Sequence, residues 1–408
     1  MPLARVPARR IVRAVADAAQ RWSDADFPPR VRLLGSIVER VGYTLPVIEY
    51  ALDQLFSSIT VEALEATIAN ELGSLDALDG FVRRPGRPRG YAHSIGNVCV
   101  VSSRTTIGVA IVPAIFALCA KCDVLVKDRE DGLVRAFFET LAEELDEMAQ
   151  AARAQTWRGD SDAVDLGAFD AVVAFGSDPT LARIAEGIAM QSQFIGFGAK
   201  ASVGYIGRDA LDDEAHARAI AEGAARDVVL YETEGCLSLH ALFVERGGVV
   251  DPAHFSKLLA AAVERAAVEF PPGVRDARAS ARIATARNLA AFRSAGGSGS
   301  VFSDETASYL AVLDPPANEP PAYLPRALAI HTVDAPPEAG DYLKRHSVPI
   351  EAIAVAGVRP EIEAMVVDLG ASRIAPFGDL QRPPLSANHG GRPRIAEFVR
   401  WVSSELPA

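Results

Sequence analysis

The sequence predicts an α/β protein made of two α/β domains with parallel-rich sheets and a helical N-terminal extension. Two observations carry this prediction. From residue 95 onward, short apolar runs rich in β-branched residues alternate with runs that have helical spacing. The same alternation begins again after residue 201. Because each strand–helix–strand unit builds a parallel sheet, two such series predict two sheets.

The length and composition agree with two folded domains. The chain has 408 residues, which exceeds the usual size of one domain. Hydrophobic residues make up 49% of it and charged residues 23%, so a large core can be buried.

The first half of the chain begins with helices and continues with strands. Apolar residues recur at helical spacing in VRAVADAAQRW, RVRLLGSIVERV and VEALEATIANELGSL. The segment FVRRPGRPRG at residues 81–90 predicts a break, because proline and glycine interrupt regular structure. We then predict strands at NVCVVSS, DVLVKD and AVVAFGS, and helices at VAIVPAIFALCAK, VRAFFETLAEELDEMAQAA and PTLARIAEGIAMQ.

The second series follows GFGAKAS, residues 196–202, where we place the junction between the domains. We predict strands at SVGYIG, VVLYE and LSLHALFVE, and helices at DALDDEAHARAIAEGAARDV, PAHFSKLLAAAVERAAVEF and residues 275–293. AGGSGS at residues 295–300 predicts a flexible joint, and PPANEPPAYLP at residues 315–325 predicts a rigid surface connection.

Charge and cysteine content exclude several classes of protein. The net charge is −12, with 53 acidic and 41 basic side chains, which argues against non-specific binding to nucleic acid or anionic membranes. Four cysteines in so long a chain do not make a disulfide framework, so we expect a reducing, cytoplasmic location. The most apolar stretch, residues 107–120, is too short to span a bilayer, and the N-terminus lacks the apolar core of a signal peptide.

No metal site or conventional dinucleotide motif is predicted. Cys119 and Cys122 form a CxxC pair, but no second pair or histidine pair lies nearby to complete a zinc site. Their place between an apolar helix and a strand favours core packing over a redox role. The seven histidines lack ligand spacing, and GFGAKA lacks the third glycine of the dinucleotide fingerprint.

Two segments have features of an anion-binding site. Gly176 and Ser177 lie between a predicted strand and a predicted helix, whose free N–H groups favour phosphate. The alternative is that Ser177 or Asp178 is a simple helix N-cap. Lys127 ends a predicted strand, at the edge where open α/β sheets bind ligands, although a solvated lysine explains it equally well.

Cys236 is the candidate nucleophile. It follows Gly235 in YETEGCLSLHALFVERGG, residues 231–248, at a break before a predicted strand. A thiolate needs a lowered pKa, which N–H groups, a cation or a base can provide. The local sequence leaves two roles open, nucleophile and small core residue. We interpret His240 as structural, because on a strand it would lie well away from the thiol.

Five segments in this order resemble the aldehyde dehydrogenase superfamily, and in particular its branch of fatty acyl-CoA reductases, the type that supplies aldehyde in bacterial luminescence. They are HSIGNVCVVSSRTTIGVAIVPAIFALCAKCDVLVK, AFGSD, FGAK, EGCLSLHALFVE and ASRIAPFGDLQRPPLSANHGGRPRIAEFVRWV. The resemblance covers roughly residues 90–402.

The resemblance implies roles for individual residues. Cys236 matches the catalytic cysteine, and Lys127 matches the lysine that contacts the adenosine ribose. Gly176 and Ser177 match the turn beside the cofactor pyrophosphate.

The oxyanion hole is implied less directly. Arg104 falls, within a residue or so, where aldehyde dehydrogenases have an oxyanion-hole asparagine. The expected donors are therefore the Cys236 amide and a group between Ser102 and Thr105.

The resemblance also implies the domain organisation. The expected parts are a helical N-terminal region packed on the cofactor domain (1–90), a nicotinamide cofactor-binding α/β domain (91–199), a catalytic α/β domain that carries Cys236 (200–385) and a C-terminal segment (386–408).

One departure from the superfamily predicts the reaction. Hydrolytic aldehyde dehydrogenases begin their hinge motif ELGGK with a glutamate, and Gly196 takes that place here. Without a base to activate water, the thioester is expected to accept hydride or exchange with a thiol. A second departure is SANHGG, where close relatives have WHHDG, and it leaves the roles of Asn388 and His389 open.

We therefore expect NAD(P)H-dependent reduction of an acyl-CoA to the aldehyde through a Cys236 acyl-enzyme. NADPH is the branch's usual donor, and NADH stays open because Lys127 can hold a 2′-phosphate whereas Asp128 would repel one. The resemblance also implies a homo-oligomer and an acyl-activating ligase as partner. The alternatives are an aldehyde dehydrogenase, an acyl-phosphate reductase, a cysteine acyltransferase and a non-catalytic member of the superfamily.

Overall fold

The computed structural model describes residues 1–104, 106–158, 164–321, 323–357 and 359–406. The chain divides into two compact units. Unit 1 comprises residues 1–41, 48–199 and 384–408, and unit 2 comprises residues 42–47 and 200–383.

Helices form the N-terminal part of the chain, as the spacing of apolar residues predicts. They are α1 (Ala8–Ser23), α2 (Pro28–Val41), α3 (Leu45–Ser57) and α4 (Val61–Leu72). The sequence pattern did not predict α3. Trp22 at the end of α1 is fully buried and packs against Phe56 of α3, with ring centres 5.2 Å apart. This aromatic contact anchors the helical region within unit 1.

A five-stranded parallel sheet forms the centre of unit 1. Its strand order is β5-β4-β3-β6-β7. The elements are β3 (Asn97–Val101), α5 (Ile111–Cys119), β4 (Asp123–Lys127), α6 (Leu133–Glu144), α7 (Met148–Ala151), β5 (Ala152–Gln155), β6 (Ala171–Phe175), α8 (Asp178–Glu186) and β7 (Gln193–Phe197). The three strands predicted before residue 178 are confirmed as β3, β4 and β6, and they alternate with helices as expected.

Two predictions for unit 1 are wrong in detail. We predicted one long helix over residues 134–152. The observed helix ends at Glu144, because buried Leu145 adopts an extended backbone. Ala152, the last residue of the predicted helix, is the first residue of β5. The predicted break at residues 81–90 is a β-hairpin. It forms a small antiparallel sheet of β1 (Val82–Arg84), β2 (Arg87–Ser94) and β15 (Val399–Ser404).

A seven-stranded sheet forms the centre of unit 2, in the order β10-β11-β12-β9-β8-β13-β14. All neighbours are parallel except β10 and β11. Its elements are β8 (Ala201–Ile206), α9 (Glu214–Val229), β9 (Leu239–Glu245), α10 (Pro252–Glu269), α11 (Ala277–Ala295), β10 (Ser300–Phe302), β11 (Leu310–Leu313), β12 (Ala327–Val333), α12 (Pro336–Arg345), β13 (Ile350–Ala356), α13 (Pro360–Asp368) and β14 (Arg373–Ala375).

The predicted strand VVLYE, residues 228–232, is wrong. Helix α9 continues to Val229, whose side chain is fully buried like that of Leu230. The apolar run therefore packs the end of a helix into the core. A tight turn follows in place of a strand, and it leads directly to Cys236.

Within the described parts of the chain, no helix combines the length and the apolar character needed to cross a bilayer.

Candidate active site

A strained turn precedes Cys236. Tyr231, Glu232 and Thr233 all have positive φ angles, of 56°, 52° and 59°. Non-glycine residues rarely adopt this left-handed conformation, which costs on the order of 1–3 kcal/mol for each residue. Such a turn persists only where surrounding contacts hold it, and the Thr233 hydroxyl supplies one by donating to the Val228 carbonyl at 3.2 Å.

Glu232 fixes this turn from inside the core. Its side chain is almost fully buried, and its carboxylate forms an ion pair with Arg326 at 2.7 Å. It also accepts a hydrogen bond from the Gly273 amide at 3.1 Å. Arg326 is itself 1% exposed and donates to the Phe270 carbonyl at 2.8 Å. The strained backbone is thus tied to distant parts of unit 2.

Polar side chains also hold the loop that carries Cys236. The Ser202 hydroxyl on β8 donates to the Cys236 carbonyl at 2.8 Å. The Ser238 hydroxyl accepts from the Gly235 amide at 3.2 Å and from Gln381 at 2.9 Å. These contacts fix the backbone of Cys236, and the residue as a whole is partly exposed.

The charge state of Cys236 reflects competing influences. Burial raises the pKa of the thiol to about 11, and the carboxylate of Glu351 contributes to the increase. The Lys200 ammonium and the backbone amides of Cys236 and Leu237 lower it. At neutral pH the thiol is therefore protonated in the free protein. The loop amides face the position where negative charge develops on sulfur.

The other three cysteines differ from Cys236 in exposure. Cys99, Cys119 and Cys122 have no exposed surface, and burial raises their pKa values to about 12, 12 and 11. Cys119 and Cys122 are free thiols in the core of unit 1, as predicted. In the described residues, no group of histidine, cysteine and acidic side chains could hold a metal ion.

His240 lies on β9 and is 4% exposed. Burial lowers its pKa to about 4, and interaction with the Gly235 backbone acts in the opposite direction. Its ring packs edge-on against Tyr323 at 5.0 Å. The imidazole is therefore neutral at physiological pH, and its described contacts are with the loop backbone and an aromatic ring.

The end of β4 has an alternating pattern of exposure. Lys127 is half-buried, with its ammonium 5.0 Å from the ring centre of Trp157. Asp128 is 3% exposed and accepts hydrogen bonds from the amides of Glu130 and Arg135 at 2.8 and 3.3 Å. The Asp128 carboxylate is thus turned inward and held by two backbone amides.

The second carboxylate of this segment is also turned inward. Glu130 is fully buried and accepts hydrogen bonds from the Ser102 hydroxyl and the Gly108 amide. Burial raises its pKa to about 7. Arg129 between the two carboxylates is half-buried; burial lowers its pKa, and the Arg104 guanidinium adds to that effect. The outward face of this segment is therefore cationic.

The expected oxyanion region of unit 1 is only partly described. The Ser102 hydroxyl is fully buried and engaged with Glu130, so it is not available to a substrate. Arg104 is exposed, and its carbonyl accepts a hydrogen bond from Arg40. Thr105 lies outside the described residues.

Gly176 and Ser177 connect β6 to α8. Ser177 occupies the N-cap position, but its side chain makes no capping hydrogen bond to the helix. Its hydroxyl lies 3.0 Å from that of Thr180 instead. A Cβ atom at Gly176 would lie 3.3 Å from the Thr180 side chain. The turn is therefore tight, and the first N–H groups of α8 are not capped by Ser177, an arrangement that fits a phosphate.

Three rings stack where β6 and β7 end. Phe175 and Phe197 are stacked with centres 5.0 Å apart, and His389 stacks on Phe197 at 4.0 Å. Gly196 precedes Phe197, and a Cβ atom there would lie 3.0 Å from the Phe194 ring. No local sequence pattern indicates this stack, because it joins residues almost 200 positions apart. Any side chain larger than glycine at position 196 would displace Phe194.

Comparisons with known proteins show the family. The model of the acyl-CoA reductase (LuxC) family matches residues 3–401. A long-chain acyl-protein thioester reductase 2 from Photobacterium leiognathi is 20% identical over 416 residues, which cover 98% of this chain and 83% of that protein.

Solved structures with the same fold are aldehyde dehydrogenases. Aldehyde dehydrogenase 21 from Physcomitrella patens, in complex with the reaction product succinate, has a TM-score of 0.67 and 12% identity, covering 97% of this chain and 85% of that chain. A NAD-dependent benzaldehyde dehydrogenase from Corynebacterium glutamicum has a TM-score of 0.65 and 14% identity, covering 99% and 86%. The aldehyde dehydrogenase-like fold predicted from the sequence is confirmed.

Proposed function

Because the chain belongs to the acyl-CoA reductase (LuxC) family, we propose that it reduces an acyl-CoA thioester to the aldehyde through a covalent acyl-enzyme on Cys236. The chain is an oxidoreductase that acts on acyl or aldehyde groups. The observation that carries the proposal is that Cys236 is a partly exposed residue on a fixed loop, whereas the other three cysteines are fully buried.

In the first half-reaction, the Cys236 thiol releases its proton to solvent and its sulfur attacks the thioester carbonyl carbon. The carbonyl oxygen becomes an oxyanion, for which the amides of Cys236 and Leu237 are the proposed donors. Each correctly placed donor contributes about 3 kcal/mol to stabilising such an oxyanion. The bond to the CoA sulfur then breaks, CoA leaves as a thiol after taking up a proton, and the acyl group stays on Cys236.

In the second half-reaction, the acyl group must leave as aldehyde. A bound reduced nicotinamide supplies the hydride for this step. Lys127 would hold its adenosine ribose, and Gly176 with Ser177 would hold its pyrophosphate. The same loop amides stabilise the second oxyanion, whose collapse expels the Cys236 thiolate.

The residues present disfavour hydrolysis. Gly196 supplies no base, and a Cβ atom there would lie 3.0 Å from the Phe194 ring. Glu351 is the carboxylate with an electrostatic effect on Cys236, but it forms an ion pair with Lys200 and accepts a hydrogen bond from Ser372 at 2.7 Å. A carboxylate that is buried and engaged in this way is a poor base for activating water.

NADPH is the proposed hydride donor. Lys127 and Arg129 form the outward face after β4, and Arg104 lies close enough to Arg129 to affect its pKa. The carboxylates of Asp128 and Glu130 are buried, and the exposed Asp131 carboxylate is paired with Arg40. Lys127 and Arg129 are therefore the proposed contacts of a 2′-phosphate. NADH is the alternative, and a comparison of the two donors decides between them.

The acyl donor and the cellular setting follow from the family. The similar Photobacterium protein is named for acyl-protein thioesters, so a thioester carried by an acyl-activating ligase is a second candidate substrate beside acyl-CoA. A homo-oligomer in the cytoplasm completes the proposal. Co-purification with the ligase tests the ligase as a partner. Light scattering of the isolated protein tests the homo-oligomer.

The direct test incubates the protein with NADPH or NADH and acyl-CoAs of graded chain length, and follows both nicotinamide absorbance and aldehyde. We expect aldehyde from the wild type and from a Cys119→Ala control, and none from Cys236→Ala. Equal turnover by wild type and Cys236→Ala would refute the assignment. Reduction of NAD with formation of free acid from an aldehyde would support an aldehyde dehydrogenase instead.

A further inference from the structure

A partly buried ion pair lies beside the Cys236 loop in unit 2. The Lys200 ammonium is 2.8 Å from the Glu351 carboxylate, with side-chain exposures of 28% and 7%. The second carboxylate oxygen of Glu351 accepts a hydrogen bond from the Ser372 hydroxyl at 2.7 Å. Both oxygens are thus engaged, and the carboxylate has a fixed position.

The strand order places this pair next to the cysteine. Strand β8 lies between β9 and β13. Lys200 immediately precedes β8, Glu351 is the second residue of β13, and Cys236 lies three residues before β9. All three residues are therefore at the amino-terminal edge of the same sheet.

Stability alone does not account for the pair. A buried ion pair loses much of its hydration, and replacing it with well-packed apolar residues is often neutral or stabilising. The two charges act in opposite directions on the Cys236 thiol, since Glu351 disfavours the thiolate and Lys200 favours it.

The other titratable groups near the loop do not provide this function. His240 is neutral because burial lowers its pKa to about 4. Burial raises the pKa of Glu234, whose carboxylate interacts with Tyr43. Lys200 is thus the cation that acts on the sulfur, and its own partner is Glu351.

We propose that Lys200 and Glu351 are positioning residues that set the reactivity of Cys236. Glu351 holds the lysine in place and keeps the resting thiol protonated. Lys200 stabilises the thiolate once the substrate is bound. The proposal rests on the proposed function in that Cys236 is the nucleophile, but its test needs neither acyl-CoA nor a nicotinamide.

The test measures the rate of Cys236 alkylation by iodoacetamide between pH 6 and pH 10, with the modified residue identified by mass spectrometry. The three buried cysteines do not compete for the reagent in the folded protein. Three variants are compared with the wild type: Glu351→Gln, Lys200→Met and the double variant.

We expect Glu351→Gln to speed alkylation at pH 8 by about threefold to tenfold, because a lower thiol pKa increases the thiolate fraction. Lys200→Met should slow it by a similar factor. The alkylation rate of the double variant should lie within about twofold of the wild-type rate, because the double variant removes both charges together. The double variant shows whether the two charges offset each other, and Glu351→Gln alone tests the proposal if Lys200→Met does not fold.

Glu245→Gln is the matched control. Glu245 is a fully buried, ion-paired carboxylate at the opposite end of β9, where Arg208 and Arg359 hold it. This variant should lower stability but leave the alkylation profile unchanged. A Glu351→Gln profile that superimposes on the wild type would overturn the proposal and leave the pair a structural role. Failure to form aldehyde would instead contradict the proposed function alone.

Discussion

The two parallel sheets carry their candidate site residues at opposite edges. In unit 1, Lys127 lies at the carboxyl end of β4, and Gly176 and Ser177 follow that of β6. In unit 2, Cys236 and Lys200 precede the amino ends of β9 and β8. Open α/β sheets generally bind ligands at their carboxyl edge, so backbone geometry alone favours the first location. A site at the amino edge of the unit 2 sheet depends instead on contacts between side chains.

This difference explains how each region is stabilised. The turn at Gly176 and Ser177 is short and local, and its N–H groups come from the start of α8. The Cys236 loop depends instead on a left-handed turn and on the buried pair of Glu232 and Arg326. Substitutions in the second region should therefore affect folding as well as activity, whereas those in the first should affect mainly binding.

The largest effect is expected where the loop is anchored. Glu232→Gln leaves Arg326 without its buried partner, which should lower the free energy of unfolding by about 3–5 kcal/mol. Urea denaturation measures this loss. The control Glu222→Gln breaks an exposed pair with Arg265 and should cost less than about 1 kcal/mol. Similar losses for both variants would show that the turn does not depend on Glu232.

The pH dependence of Cys236 alkylation is a second test of the region around the Cys236 loop. Because burial raises the pKa of its thiol to about 11, the thiolate fraction should increase throughout the neutral range. We expect the alkylation rate to rise roughly 100-fold between pH 7 and pH 9, which is tenfold for each pH unit. A plateau below pH 9 would contradict the raised pKa.

Substitutions at the carboxyl edge of the unit 1 sheet should weaken cofactor binding without unfolding the protein. Lys127→Ala should weaken NADPH binding about tenfold, since a hydrogen bond to a charged group contributes about 1.5–3 kcal/mol. Fluorescence titration measures the Kd. Asp128→Asn is the neighbouring control, and it should lower stability while leaving the Kd unchanged, because its carboxylate is turned inward. An equal loss of NADH affinity in Lys127→Ala would argue against a 2′-phosphate contact.

The smallest effect is expected at His240. Its imidazole is buried and neutral, so His240→Phe should preserve the ring packing and lower kcat less than about tenfold. Loss of a general acid or base typically costs on the order of 10²-fold or more. Steady-state kinetics separate the two outcomes, and a loss of that larger size would give His240 a role in proton transfer.

The sequence predicted what depends on local pattern and missed what depends on long-range contacts. Alternating apolar runs indicated β3, β4, β6, β8 and β9, because a buried parallel strand is apolar along its length. The same criterion failed at residues 228–232, since an apolar run also suits the buried end of a helix.

For the candidate site, too, the sequence predicted some features and missed others. Motif and family resemblance predicted Lys127 and Cys236 as site residues, but not the contacts of their neighbours. The inward position of Asp128 comes from local contacts with two amides, which the sequence interpretation did not consider. The ion pair of Lys200 with Glu351 joins residues about 150 positions apart, and sequence spacing does not indicate it.

The central claim is that Cys236 carries the acyl group. The most direct measurement mixes the protein with an acyl-CoA in the absence of any nicotinamide, and then identifies acylated peptides by mass spectrometry. The account predicts one acyl group on Cys236, which disappears when NADPH is added and is absent in Cys236→Ala. An unmodified Cys236 peptide together with released CoA, or acylation of a different residue that persists in Cys236→Ala, would contradict it.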